Sequence, residues 1–289
     1  MIEIDINPNL FTADFIFTWV LSWHGFFSFI AVATAVVLVG RWAPLKGIEA
    51  DDIYSIAIWA IIGGIVGARL VHVVDNWGEI YQGNPGRILN IAAGGIAIWG
   101  GILGGFIGGS VYCMIAKYPI GVIADLTAPA LLFVQTIGRL GDIVNGEHCA
   151  KAADYFLGFQ WVHEGTMARF CDDGHLSSAA QPVILFEMAW NMLALAVIWT
   201  LRGRLKPDGM LFALYLALYS VGRFAVSFLR DDKVWALGMQ EAHYIALMVL
   251  AITLPLMAVR ARFTQRVEEA PVGVPRGTRA QRRRRGPTE

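Results

Sequence analysis

The chain has 289 residues, of which 56% are hydrophobic and 16% are charged, and its mean hydropathy is +0.54. Soluble domains carry about 25% charged residues, so this composition excludes an ordinary soluble enzyme and indicates a polytopic membrane protein. The net charge of zero conceals an uneven distribution, because nine arginines lie from Arg260 onward.

The N-terminus carries Glu3, Asp5 and Asp14 and lacks a basic region, so no cleavable signal peptide is expected. Apolar runs of about 20 residues follow, each long enough to cross a bilayer as a helix. We therefore predict an all-α membrane protein with seven transmembrane helices and a small extracytoplasmic head domain. The predicted spans are about 17–40, 53–74, 91–116, 120–142, 183–201, 209–229 and 242–259.

The distribution of lysine and arginine predicts the orientation of these spans. One set of connections, with the C-terminal tail, carries 15 of these residues, and the opposite set carries 4. Positively charged connections stay in the cytoplasm, so we expect a cytoplasmic C-terminus and an extracytoplasmic N-terminus. Residues 1–262 then form the membrane domain with 143–180 as its head, and 263–289 form a disordered, basic cytoplasmic tail.

The three cysteines are too few for a disulfide framework. Cys113 lies in an apolar helix, whereas Cys149 and Cys171 share the head segment and could form one bridge in an oxidising compartment. The histidines of this segment match no standard zinc spacing, so we predict no metal and no cofactor. The tail arginines 282–285 could contact nucleic acid, but a role in fixing membrane topology is the plainer account, and we expect no nucleic-acid partner.

The segment 138–147 reads Gly-Arg-Leu-Gly-Asp-Ile-Val-Asn-Gly-Glu and follows an apolar run with no loop between them. Burying such charged groups in hydrocarbon costs roughly 2.5–3.5 kcal/mol each, so polar groups placed there usually line an internal cavity. The alternative is a helix that has emerged into water, with Arg139 reaching towards the surface.

Further arginines interrupt or end apolar spans, namely Arg69, Arg223 and Arg230. Together with Arg139 they predict a cationic cavity near the outer leaflet. A guanidinium group donates a fixed fork of hydrogen bonds that suits phosphate, so the expected ligand is a phospholipid headgroup. Glu187 and Asp125 are interpreted as arginine counter-ions, and His24 and His243 could be satisfied interior groups.

The order of these motifs resembles the prolipoprotein diacylglyceryl transferases of bacterial inner membranes. The family signature Gly-Arg-x-Gly-Asn-Phe-x-Asn-x-Glu is closely matched by 138–147, and Trp23-His24-Gly25 stands against a Trp-Tyr-Gly motif. The resemblance covers about 20–260. It also includes Gly-Ala-Arg at 67–69, a Pro-to-Glu segment at 182–187, and Tyr219, Arg223 and Arg230.

The resemblance implies transfer of a diacylglyceryl group from phosphatidylglycerol to the lipobox cysteine thiol of a prolipoprotein, with release of glycerol phosphate. Arg139 and Arg223 would hold the phosphate, and Asp142 or His24 would assist deprotonation of the thiol. The complete implied site comprises His24, Arg69, Trp99, Arg139, Gly141, Asp142, Asn145, Glu147, Tyr219, Arg223 and Arg230. A monomer in the inner membrane, in contact with membrane lipids, is expected.

The chain departs from the family pattern at several positions. Trp99 stands where many members have histidine, Asp142 replaces the signature asparagine, and Ser227 replaces an acid. Two alternatives therefore remain open, a related lipid-modifying enzyme with another acceptor and a non-catalytic phospholipid-binding membrane protein. A channel is less favoured, because no filter motif is present.

Overall fold

The computed structural model describes residues 1–14, 18–90, 94–171 and 178–264. The chain divides into two compact units. Within the described residues, the first comprises Met1–Leu38 with 117–264, and the second comprises Val39–Ala116. Most of the predicted tail, residues 265–289, lies outside the described residues.

The described residues contain seven helices that are long and apolar enough to span a membrane, which confirms the predicted number. They are α1 (Trp23–Trp42), α2 (Ala50–Asp75), α3 (Ile98–Ala116), α4 (Ile120–Asn145), α5 (Val183–Leu201), α6 (Met210–Ser227) and α7 (Glu241–Arg260). Two predicted starts were wrong: α1 begins at Trp23 rather than 17, because 18–22 form a strand, and α3 begins at Ile98 rather than 91. Helix α4 continues three residues beyond its predicted end, to Asn145.

Short two-stranded sheets lie at the helix ends, a feature that the all-α prediction did not include. They pair β1 (Ile2–Ile4) with β4 (Phe159–Trp161), β2 (Asn9–Asp14) with β3 (Thr18–Ser22), β5 (Leu205–Lys206) with β8 (Arg262–Phe263), and β6 (Val234–Ala236) with β7 (Met239–Gln240). The parallel pairing of β1 with β4 sets the N-terminus beside the head segment. Strand β8 includes Phe263, so the predicted tail is ordered at its first residue.

The head packs directly onto the end of α4. Trp161 is almost fully buried, and its indole Nε1 donates to the Ile143 carbonyl at 2.7 Å. The Thr166 hydroxyl donates to the Asn145 carbonyl at 2.9 Å, so it satisfies one of the carbonyls that a helix end leaves unpaired. A disulfide joins Cys149 to Cys171. These contacts fix the part of the chain that carries the signature.

In the second unit, α2 and α3 approach each other through glycines. A Cβ atom built on Gly67 would stand 2.8 Å from the Gly104 Cα, and one on Gly63 would stand 3.0 Å from the Gly108 Cα. Such close backbone approach allows extensive van der Waals contact between membrane helices. The glycines of these spans therefore serve helix packing.

Candidate active site

The site begins on the last turns of α4, where the helix continues through the whole polar stretch. Arg139 and Asp142 are three residues apart and share a helix face. The Arg139 Nη1 donates to the Asp142 Oδ2 at 2.7 Å. Helix α4 then ends at Asn145 and is capped by Gly146, whose φ of 67° is left-handed and therefore favours glycine. Arg139 points into this cluster of charged groups, with 18% of its side chain exposed, and does not reach into bulk water.

The start of α1 supplies the second side of the site. The His24 Nδ1 lies 2.7 Å from the other oxygen of Asp142, Oδ1. The first turn is held by the Ser22 hydroxyl, which accepts a hydrogen bond from the Gly25 N–H at 3.0 Å. His24 therefore stands at a fixed helix terminus against the signature carboxylate.

Glu187, on α5, joins two of the predicted phosphate ligands. Its Oε2 lies 2.5 Å from the Arg139 Nη2, and its Oε1 lies 2.5 Å from the Arg223 Nη1. The predicted counter-ion role of Glu187 is confirmed in geometry, with one carboxylate shared between two guanidinium groups. A buried carboxylate is stable only when it is paired in this way.

Glu147 and Asn145 close the cluster. The Asn145 Nδ2 donates to the Glu147 Oε1 at 2.7 Å, and the Glu147 Oε2 lies 3.2 Å from the His24 Nδ1. One nitrogen of His24 and carboxylate oxygens of Asp142 and Glu147 thus lie within 4.8 Å of one another, a spacing that a metal ion could use. The His24 Nδ1 already forms a hydrogen bond with Asp142 and an ion-pair contact with Glu147.

Two residues link this cluster to the α6–α7 connection. The His148 Nε2 lies 3.0 Å from the Asp142 Oδ2, and its Nδ1 lies 3.2 Å from the Arg230 Nη2. Arg230 also donates from Nε to Asp232 at 2.6 Å. Burial, reinforced by the guanidinium groups of Arg230 and Arg139, holds the pKa of the His148 imidazole below its ordinary value.

Arg230 retains one donor for a ligand. Its Nη1 is buried and has no hydrogen-bond partner among the residues that the structure describes. A buried guanidinium nitrogen without a partner is costly, so it marks a place where an anion would bind favourably.

Arg69 requires a correction, because it has no donor left for a substrate phosphate. Its Nε donates to the carbonyl of Ile88, Nη1 to those of Gly94 and Gly95, and Nη2 to those of Arg87 and Asn90. All five N–H groups are therefore used by the backbone. Arg69 belongs to the second unit and holds a connection there.

The remaining predicted residues are placed as follows. Tyr219 lies one helical turn before Arg223 on α6 and within electrostatic reach of Arg139. Trp99 is half-buried in the first turn of α3, in the second unit. Asp125 was wrongly interpreted as an arginine counter-ion, because its oxygens accept the backbone N–H groups of Gly209 and Phe212 at the start of α6.

The sequence interpretation did not include His148 in the site. His148 directly follows the signature, so its position next to Glu147 was the available signal. Its partners Asp142 and Arg230 are 6 and 82 residues away, and the second contact is a product of the fold alone.

Comparison with known proteins identifies the family. The model of the prolipoprotein diacylglyceryl transferase family matches residues 12–259. The chain belongs to this family. A phosphatidylglycerol–prolipoprotein diacylglyceryl transferase of Dehalococcoides mccartyi is 31% identical over 264 residues, which cover 91% of this chain and 96% of that protein. Proteins of the same name from Symbiobacterium thermophilum and Mycobacterium leprae are 32% identical over 235 residues and 34% identical over 215 residues. They match 80% and 70% of this chain and 85% and 65% of their own lengths.

Two of the departures of this chain from the diacylglyceryl transferase pattern are in direct contact. Asp142 replaces the signature asparagine, and His24 replaces a tyrosine. The two changed residues form a hydrogen bond to each other. His148, just after the signature, bonds to the same carboxylate. The additional carboxylate is therefore matched by two imidazoles, which satisfy both of its oxygens.

Proposed function

We propose that this chain is a phosphatidylglycerol–prolipoprotein diacylglyceryl transferase of a bacterial plasma membrane. The observation that carries the proposal is that Glu187 forms ion pairs with both Arg139 and Arg223. Its two carboxylate oxygens set the guanidinium groups at a spacing that two oxygens of one phosphate can also bridge. Family membership supports the same conclusion.

The phosphate would bind to Arg139 and Arg223, with the unpartnered Nη1 of Arg230 as a third donor. As the bond between the glyceryl carbon and the phosphate oxygen breaks, negative charge accumulates on the leaving glycerol phosphate. Fixed cationic donors in a water-poor site stabilise such charge more strongly than water does. Tyr219, one turn before Arg223, would line this side of the site.

The thiol step would use His24. Its Nδ1–H donates to Asp142, which fixes the tautomer and leaves Nε2 able to accept the proton of the lipobox thiol. The thiolate then attacks the glyceryl carbon and forms the thioether, and the electron pair of the broken C–O bond leaves with the phosphate. Glu147, held by Asn145, lies 3.2 Å from the same Nδ1 and would help to keep the imidazole in place.

The orientation that we propose places the N-terminus and the head outside and the C-terminus in the cytoplasm. The parallel pairing of β1 with β4 supports a common side for the N-terminus and the head, as the four spans between them require. The bridge between Cys149 and Cys171 supports an oxidising location for that side. The prolipoprotein would reach the site from there.

The test is a lipobox reporter expressed in cells depleted of their own transferase and analysed by mass spectrometry. The wild-type chain adds a diacylglyceryl group to the reporter cysteine, Arg139→Ala abolishes the addition, and Arg169→Ala, which changes an exposed head arginine, does not. An unmodified reporter at matched membrane expression would contradict the proposal. Bound phosphatidylglycerol without any product would then favour a non-catalytic lipid-binding protein, and a new lipid product would favour another acceptor.

A further inference from the structure

His148 lies just after the family signature and contacts three charged groups of the site, those of Asp142, Arg139 and Arg230. Its Nε2 lies 3.0 Å from the Asp142 Oδ2 and 2.5 Å from the Arg139 Nη1, and its Nδ1 lies 3.2 Å from the Arg230 Nη2. Arg230 is itself anchored by Asp232 and through its carbonyl, which accepts from the Gln240 Nε2 at 2.9 Å. His148 therefore connects the signature to a second, independently fixed part of the chain.

The protonation state of His148 follows from its partners. A guanidinium group only donates hydrogen bonds, so Nδ1 must accept from Arg230 and cannot carry a hydrogen. Asp142 only accepts, so its contact also requires the single ring hydrogen on Nε2. In this tautomer the 2.5 Å contact between Nε2 and the Arg139 Nη1 brings two donors together and is not a hydrogen bond. The lowered pKa of this imidazole agrees with a neutral ring.

In this arrangement the two oxygens of the Asp142 carboxylate accept hydrogen bonds from different groups. Its Oδ1 accepts from His24, and its Oδ2 is shared by Arg139 at 2.7 Å and His148 at 3.0 Å. Without the His148 donor, Oδ2 would have Arg139 as its remaining donor. Asp142 would then rotate towards Arg139, drawing the guanidinium away from the phosphate and its own Oδ1 away from His24.

We propose that His148 is a positioning residue of the transferase reaction, which holds Asp142 so that His24 stays oriented for the thiol while Arg139 stays available for the phosphate. The proposal rests on the proposed function above and adds a residue to it. His148 acts through Asp142 and need not touch either substrate.

The test compares His148→Gln with His148→Leu. The glutamine amide reaches the place of Nε2 and keeps a donor for Asp142, whereas leucine keeps the bulk and loses both hydrogen bonds. We expect His148→Leu to lower kcat by about tenfold or more, because small misplacements of catalytic groups cost that much, and to raise KM for phosphatidylglycerol severalfold. His148→Gln stays within about threefold of wild type in both constants.

Each readout is normalised to the folded fraction, so a merely structural role would lower neither constant of the folded enzyme. His163→Leu, a change in the same head segment, is the matched control and leaves both constants unchanged. If His148→Leu does not fold, His148→Asn replaces it, because the shorter amide does not reach Asp142. Equal losses in the Gln and Leu variants, or no loss in either, would overturn the proposal.

Binding of phosphatidylglycerol to the purified proteins tests the positioning role of His148 independently of the transferase activity. His148→Leu should weaken binding severalfold and His148→Gln should not, whether or not the protein turns over a lipobox peptide. An inactive wild-type protein that shows this difference would contradict the transferase function alone. Equal binding by all variants would contradict the positioning role.

Discussion

Gly141 lies against the backbone of His24, and a Cβ atom built on Gly141 would stand 2.6 Å from the His24 Cα. The two helices that carry the signature and the imidazole can therefore meet only because this position has no side chain. The hydrogen bond between His24 and Asp142, one residue after Gly141, depends on this approach.

Gly141→Ala should separate α1 from α4 and reduce diacylglyceryl transfer at least tenfold, since displacements of this size are costly for catalysis. Gly138→Ala is the control on the same helix, because a Cβ atom added there would meet nothing within 4 Å. That change should leave transfer near wild type and favour the helix by up to about 1 kcal/mol. Reporter modification and thermal unfolding in detergent measure the two effects, and equal activity of both variants would count against the steric argument.

Arg69→Lys should weaken folding while leaving phosphatidylglycerol affinity unchanged in the folded protein. Lysine has three donors for the five partly buried carbonyls that Arg69 satisfies, so at least two carbonyls would lose a hydrogen bond, at about 0.5–1.5 kcal/mol each. The unfolding temperature and lipid affinity are measured side by side, with the exposed Arg41→Lys as control. A selective loss of lipid affinity would restore Arg69 to the substrate site.

Replacing both Cys149 and Cys171 by serine should lower the free energy of unfolding by about 2–4 kcal/mol, since the bridge restricts the unfolded chain. Cys113→Ser, at the buried free cysteine, controls for loss of a thiol. Unfolding of the wild type with and without reductant should show the same difference. Wild-type protein that is equally stable under both conditions would indicate that the bridge adds nothing.

The contribution of His148 to the free energy of unfolding should fall as the pH drops below about 6.5, the ordinary pKa of histidine. The His148 pKa is lowered in the folded state, so the unfolded chain binds this proton more readily. Its contribution is therefore complete above about pH 6.5 and is lost as the pH falls towards the folded-state pKa. His148→Gln should show a flatter slope between about pH 5 and 7, and parallel curves would refute the assignment.

The sequence was sufficient for the features that depend on local composition. Apolar length alone predicts seven spans, and the family resemblance directs attention to Arg139 and Asp142. The strand at 18–22 was missed because its residues continue the apolar run of α1 and carry no turn signal. A hydropathy pattern cannot separate a short apolar strand from the first turn of a spanning helix.

The hydrogen-bond and ion-pair partners of the buried polar side chains could not be predicted from local composition. Arg69 and Arg139 both interrupt apolar runs, yet one is surrounded by carbonyls and the other by carboxylates. Which of the two environments an arginine meets is decided by residues distant in the chain. The link from His148 to Arg230 likewise depends on the tertiary fold.

Because Glu187 pairs with both Arg139 and Arg223, each of these arginines has an anionic partner before any lipid binds. Binding of a lipid phosphate is then an exchange, in which a tethered carboxylate gives way to a diffusing anion. The free energy of lipid binding is then the difference between the arginine–phosphate interactions gained and the arginine–Glu187 interactions lost. Strong ion pairs in the lipid-free protein therefore lower its affinity for the lipid. Such an exchange would also favour release of the product phosphate, because the nearby Glu187 carboxylate can displace it and pair with the two arginines again.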